Sequence, residues 1–176
     1  MSENGNKFTI RFIEKEEKPE FYKAMQEVHE KLEDKNLFYM KTTEQYDYLY
    51  NHGDFAAAYN DQGKIVGGFV FFYAISSGLD EYNFGKDIGL PEEDHKKVVI
   101  MDSVFVLPEY RGNRLQVKLL QYIESKIDKT KHNYFTATVS PENPASYRSF
   151  EKQGYKLAIT TKKYGGLIRS IYVKKV

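Results

Sequence analysis

The sequence predicts an α/β fold: one domain over residues 1–176, a mixed central β-sheet of six to seven strands, and about four flanking helices. Three observations lead there. Short runs with period-two alternation or continuous apolar character recur along the chain. Segments with apolar residues at helical spacing separate several of them. The resulting order, β-α-α-β-β-β-α-β-α-β-β, mixes a hairpin-linked half with a crossover half, which calls for a sheet containing both parallel and antiparallel pairs.

Each element has a local reason. Phe8, Ile10 and Phe12 alternate with polar residues and predict a short strand. Pro19 opens a helix, because its fixed φ and missing N–H suit a first turn. Phe21, Met25, Val28 and Leu32 follow at helical spacing. Thr43-Glu44-Gln45 begins a second, short helix carrying Tyr46, Leu49 and Tyr50, and His52-Gly53 ends it. Residues 55–59 and 64–75 read as strands, and Asn60-Asp61-Gln62-Gly63 between them predicts a hairpin. Residues 76–97 fit no regular strand or long helix, which makes the segment long for a simple connection. Val98 to Val106, VVIMDSVFV, is the most apolar run and predicts a central strand. Leu115, Leu119, Leu120, Ile123 and Ile127 form one helical face. Tyr134 to Val139 is a strand, and residues 143–153 form a helix stopped by Gly154. Two last strands, about 156–163 and 168–174, join through Tyr164-Gly165-Gly166.

Composition narrows the chemistry. The chain has no cysteine, which excludes disulfides, thiolate zinc sites and a cysteine nucleophile. The four histidines are scattered without ligand-like pairing, so no metal site is expected. MSENGNK at the start is polar, and no apolar run reaches membrane-spanning length. A cytoplasmic protein without a membrane partner is therefore expected. Residues 1–97 hold 12 basic and 19 acidic side chains, net −7, and residues 98–176 hold 14 and 6, net +8. A basic half suits an anionic ligand. Nucleic acid is not expected, because acidic residues elsewhere and a pI near 7.8 oppose a basic stripe.

The most informative stretch is VFVLPEYRGNRLQ, where an apolar strand opens through Arg111-Gly112 onto a helix. A helix N-terminus carries unpaired N–H groups and partial positive charge, and a glycine turn lets backbone donors close on a phosphate. The turn lacks the Gly-Lys-Ser/Thr of a Walker loop and the spaced glycines of a dinucleotide fingerprint. Together with NPASYRSFEKQGY downstream, it resembles the acetyl-CoA-binding segments of the GNAT superfamily of N-acyltransferases, whose element order also matches. The resemblance spans nearly the whole chain, with specific motifs at residues 104–155.

That resemblance implies a GNAT-like fold and acetyl-CoA as cosubstrate. It implies that the backbone of Val104, Phe105 and Val106 pairs with the pantetheine arm. Amides of Arg111, Gly112, Asn113, Arg114, Leu115 and Gln116 would hold the pyrophosphate, and Asn143 would touch pantetheine. The reaction implied is direct acetyl transfer to a primary amine of a small molecule or peptide, and family analogy suggests a homodimer. The acceptor would lie among Tyr22, Tyr39, Tyr46, residues 76–97, Tyr164 and Arg169. Glu81, Asp87, Glu92, Glu93 and Asp94 make that segment acidic, which suits a cationic acceptor.

Three residues depart from the pattern. Arg114 stands where the turn favours glycine, and Gln116 where a small residue is usual. The family's tyrosine, which protonates the leaving thiolate, falls on Phe150, which has no proton to give. Tyr147 shares the helical face of Asn143 and Phe150 and is the expected substitute acid. Asp102 shares strand parity with Val104 and Val106 and is the expected general base. The departures also raise an alternative, a catalytically silent GNAT-like module that binds CoA as a sensor or scaffold.

Overall fold

The computed structural model describes Gly5, residues 7–74 and residues 82–176. The predicted order holds: β1 (Thr9–Phe12), α1 (Lys18–Glu30), α2 (Thr43–Tyr50), β2 (Gly53–Tyr59), β3 (Ile65–Tyr73), α3 (Phe84–Asp87), β4 (Val98–Val106), α4 (Leu115–Lys126), β5 (Tyr134–Val139), α5 (Pro144–Lys152), β6 (Lys156–Lys163) and β7 (Leu167–Lys175). The sheet has seven strands in the order β1-β2-β3-β4-β5-β7-β6, so β4 is central, as its largely apolar run predicts. Among the described residues four helices run eight residues or more, and α3 adds a single turn inside the segment expected to be irregular. The predicted end of the third strand at Ile75, and Glu81 of the acidic segment, lie outside the described residues.

The chain gathers into two compact units, and β3 and β4 each contribute to both. The first comprises the chain up to Lys35, Met40–Val70 and Ser103–Lys126. In it, α1 starts as Pro19 predicts and buries Phe21, Ala24, Met25 and Val28, whereas Leu32 lies past its end. Thr42 caps α2: its hydroxyl accepts from Gln45 N while the Gln45 side chain accepts from Thr42 N. Phe21 stacks on Phe55 at 5.1 Å and meets Phe105 edge-on at 5.1 Å. These rings close over Gly68, where a Cβ would fall 2.5 Å from both Phe21 and Phe105. The glycine is therefore a requirement of packing.

Beside β1, Arg11 donates two bonds of 2.8 Å to the Glu17 carboxylate, which also accepts from Tyr59 Oη at 3.0 Å and Glu14 N at 2.7 Å. The Arg11 guanidinium, ahead of the other donors, pulls the Glu17 pKa from 4.5 down to about 2. Because the folded-state value is depressed, this stabilisation is full above the ordinary carboxylate range and is lost as pH falls through about 2. Arg11 is partly exposed, which screens the pair. Glu17→Gln should thus cost about 1–2 kcal/mol at neutral pH. Urea midpoints of the two proteins should converge between pH 4.5 and 2; a constant gap would contradict this account.

The second unit comprises Asn36–Tyr39, Phe71–Asp102 and Ile127–Val176. Within it β4 pairs β5 in parallel from Val98↔Tyr134 to Met101↔Ala137. β7 lies between β5 and β6 and pairs antiparallel with both. Asn143 caps α5, accepting from Ser146 N, and Gly154 ends that helix region at φ 91°.

Candidate functional site

The first unit holds the strand end and the turn. β4 alternates half-buried Asp102, Val104 and Val106 with buried Ser103 and Phe105, so the parity predicted for Asp102 is observed along the strand. Leu107 N donates to Val66 O at 2.9 Å, and one 3-10 turn, Pro108–Tyr110, carries the chain to Arg111. Asn60 Nδ2 donates to Tyr110 Oη at 3.1 Å, which fixes that turn to the β2–β3 hairpin. Asn113 Nδ2 donates to Tyr110 O at 2.9 Å and closes the next bend.

Two residues of this bend are left-handed: Gly112 at φ 84° and Arg114 at φ 57°. The position where the sequence lacks an expected glycine is therefore one that glycine would suit. A non-glycine residue there costs about 1–2 kcal/mol. The first helical bond of α4 runs from Lys118 N to Arg114 O, so the N–H groups of Leu115, Gln116 and Val117 precede the ladder. Arg111, Gly112 and Arg114 are exposed, and Asn113 is half-buried. Gln116 Nε2 is a buried donor with no hydrogen-bond partner among the described residues. Leaving such a group unpaired costs about 1–3 kcal/mol. Orphan amides, exposed guanidinium groups and an orphan side-chain donor on one helix turn fit an anion rich in acceptor oxygens.

Tyr22 and Tyr46 also belong to this unit, stacked at 5.8 Å. Tyr46 is buried, its hydroxyl 3.3 Å from Ser103 Oγ. Tyr22 Oη donates to Asp47 at 2.7 Å, and burial, with that hydrogen bond next, pushes its ionisation upward.

The second unit holds Asp102, Asn143 and Tyr147, together with the other predicted acceptor residues. Tyr39 and Tyr164 stack almost parallel, 4.4 Å apart and 7° from coplanar. Tyr164 Oη and Thr138 Oγ1 share a hydrogen bond of 3.1 Å. Buried Arg169 donates to the carbonyls of Asn36 and Ile168, which ties the Tyr39 segment to β7. Buried Lys163 pairs with Asp87 at 2.6 Å and sits 4.8 Å over the Phe84 ring. Asp87, read in the sequence as part of an acidic surface for a cationic acceptor, instead pairs with a lysine of the chain.

Phe150 is buried against Tyr155, edge-on at 5.3 Å. Tyr147 is half-buried and stacks on Tyr172 at 6.4 Å. Sequence reasoning missed Thr138, Asn36 and Lys163. Thr138 is one threonine in YFTATV, and only the strand register sets it level with Asp102. Among the described residues no three His, Cys, Asp or Glu side chains group to hold a metal, and no helix is long and apolar enough to cross a membrane.

The model of the acetyltransferase (GNAT) family matches residues 11–155. No curated protein matches the chain. Solved structures do. An N-acetyltransferase from Staphylococcus aureus Mu50 superposes with TM-score 0.69 at 16% identity, covering 96% of this chain and 98% of its own. The yncA protein of Salmonella typhimurium, solved with its cofactor acetyl-CoA, gives 0.67 at 16%, covering 96% and 94%. A ribosomal-protein-alanine N-acetyltransferase from Brucella melitensis gives 0.68 at 17%, covering 96% and 99%. At these identities the likeness is one of fold.

Proposed function

This chain belongs to the acetyltransferase (GNAT) family, and from that premise we propose that it transfers an acetyl group from acetyl-CoA directly to a primary amine. The observation that carries the reading is the left-handed Gly112–Arg114 turn opening α4 beside an orphan Gln116 donor. Val104, Phe105 and Val106 offer backbone to pantetheine. The amides of residues 112–116 offer donors to the pyrophosphate, whereas Arg111 N is spent on Pro108 O at 3.3 Å. Asn143 spends its Oδ1 on the α5 cap, which leaves Nδ2 as the end that can donate to the ligand.

Asp102 is the proposed base. An alkylammonium with pKa about 10.4 is roughly one part in a thousand neutral at pH 7, so removing its proton is the demanding step. The leaving thiol, with pKa about 8.5, asks less. Phe150 can supply nothing to it, and Tyr147 is the hydroxyl on the same helix. The buried Phe150 also favours a second reading, a CoA-binding module without turnover.

Calorimetry with acetyl-CoA tests the proposal. Saturable binding near one site per chain is expected. Arg114→Ala keeps the Cβ and its backbone cost but removes the guanidinium, and should weaken binding about 5–10-fold, the scale of one charged hydrogen bond. No binding at millimolar ligand would refute the cofactor assignment. Binding without CoA release across a panel of polyamines, aminoglycosides and lysine peptides would favour the silent module.

A further inference from the structure

Tyr164 and Arg114 are the two non-glycine residues with left-handed φ among the described residues, Tyr164 at 51°. Such a conformation persists only where its surroundings over-determine it. Here they do. Lys163 before it is locked by Asp87. Gly165 and Gly166 after it continue the turn at φ 78° and 122°. Tyr39 covers the Tyr164 ring. The result is a hydroxyl held in one place.

That place follows from the register. The β4–β5 ladder runs to Met101↔Ala137, and Asp102 and Thr138 are the next residues on each strand. Thr138 binds the Tyr164 hydroxyl. Strand parity sets Asp102 and Thr138 on one face of the sheet, with Met101 and Ala137 on the other. Ala137 is opposite Tyr172 in the β5–β7 pair, and Tyr172 is the ring on which Tyr147 stacks. Tyr147 therefore packs on the face away from Asp102, whereas Tyr164 reaches the face that carries it. The proposed base Asp102 has to stand at the reacting thioester, and a hydroxyl fixed on the same face by Thr138 of the adjacent strand stands there with it.

We infer that Tyr164, rather than Tyr147, gives the proton to the departing sulfur, with Thr138 holding its hydroxyl; this rests on the acetyltransferase reading above. The amine nitrogen bonds to the thioester carbonyl carbon, and the carbon–sulfur bond breaks with its electron pair on sulfur. Asp102 first takes the ammonium proton and releases it to solvent; as the neutral amine attacks, Asp102 accepts the second proton leaving nitrogen, and the Tyr164 hydroxyl donates its own to sulfur, giving CoA as the thiol. The proton on Asp102 returns to Tyr164 through the Thr138 hydroxyl. Burial, and after it the Asp102 charge, raise the Tyr164 ionisation well above its ordinary range, so the phenol is protonated near neutrality, and return of the Asp102 proton in the same step spares the site a buried phenolate.

The test needs no acceptor. CoA is bound to the protein, and its thiol is titrated by the ultraviolet absorbance of the thiolate. A donor hydrogen bond favours the charged form. Tyr164→Phe is therefore expected to raise the bound-thiol pKa by about one unit, a tenfold loss of thiolate near neutrality. Thr138→Val, which keeps the shape, should raise it less, and Tyr147→Phe should leave it in place. Should Tyr164→Phe fail to fold, the Thr138→Val shift carries the test. An unchanged value in both variants, or a rise confined to Tyr147→Phe, overturns the inference. Failure of the unaltered protein to bind CoA would bring down the acetyltransferase reading itself, and this inference with it.

Discussion

Asp102→Asn should lower kcat for amine acetylation by about a hundredfold or more, the ordinary range for losing a general base. The amide keeps the size of the side chain and removes its ability to take a proton. Affinity for acetyl-CoA should change less than about twofold, because in the proposed arrangement the pantetheine arm meets backbone and not the Asp102 side chain. The pH profile carries the sign. In the variant only the fraction of amine already neutral reacts, so its rate should climb with pH toward the amine's own pKa. An acceptor of low basicity, neutral at pH 7, should lose much less. Equal kcat and superimposable pH profiles for both proteins would remove Asp102 from the mechanism.

Gly68→Ala should destabilise the protein by about 1–3 kcal/mol, the usual cost of forcing carbon into a packed core. For a chain of this size that is roughly 3–10 °C in Tm. The added Cβ would meet Phe105 and Phe21 at 2.5 Å, and Phe21 is already stacked on Phe55. Neither ring has open space to yield into, since both are buried. Phe105 lies between Val104 and Val106, so any displacement also disturbs the strand proposed to meet pantetheine. Thermal melts with and without CoA would separate the two consequences. A variant as stable as the parent would mean that the Phe21–Phe105 contact is looser than its 5.1 Å centroid spacing indicates.

The sequence was most informative where the physics is local. Pro19 opens α1, Thr42 lies one residue from the predicted α2 start, and Gly154 follows α5, because each such signal acts within a few residues. The central place of β4 followed from an apolar run that only a doubly covered strand can bury. The single turn α3 escaped, being too short to display a period, although Asn83, which caps it, was a visible signal. Arg114 could be marked as occupying a glycine position before its φ was known. The resemblance grouped Tyr39 with Tyr164, but the sequence could not add Asp102 and Thr138 to them. Asp102 and Thr138 are far from Tyr164 in the chain, and a one-residue change of register would turn Thr138 to the other face. Gln116 shows the same limit: its length was visible, but not that its nitrogen would be buried without a partner.

The order β5-β7-β6 also bears on how the molecule is made. Its last strand is an interior one, pairing Tyr134–Val139 on one side and β6 on the other. Until residues 167–175 leave the ribosome, YFTATV has an open flank that is aromatic, β-branched and uncharged, the composition of a segment prone to cross-β association. The finished edge is mixed: β6 places exposed Lys156 and Lys162 along it, which discourage pairing with other chains, beside exposed Leu157 and Ile159. The hazard is thus one of timing during synthesis, and it passes when β7 inserts.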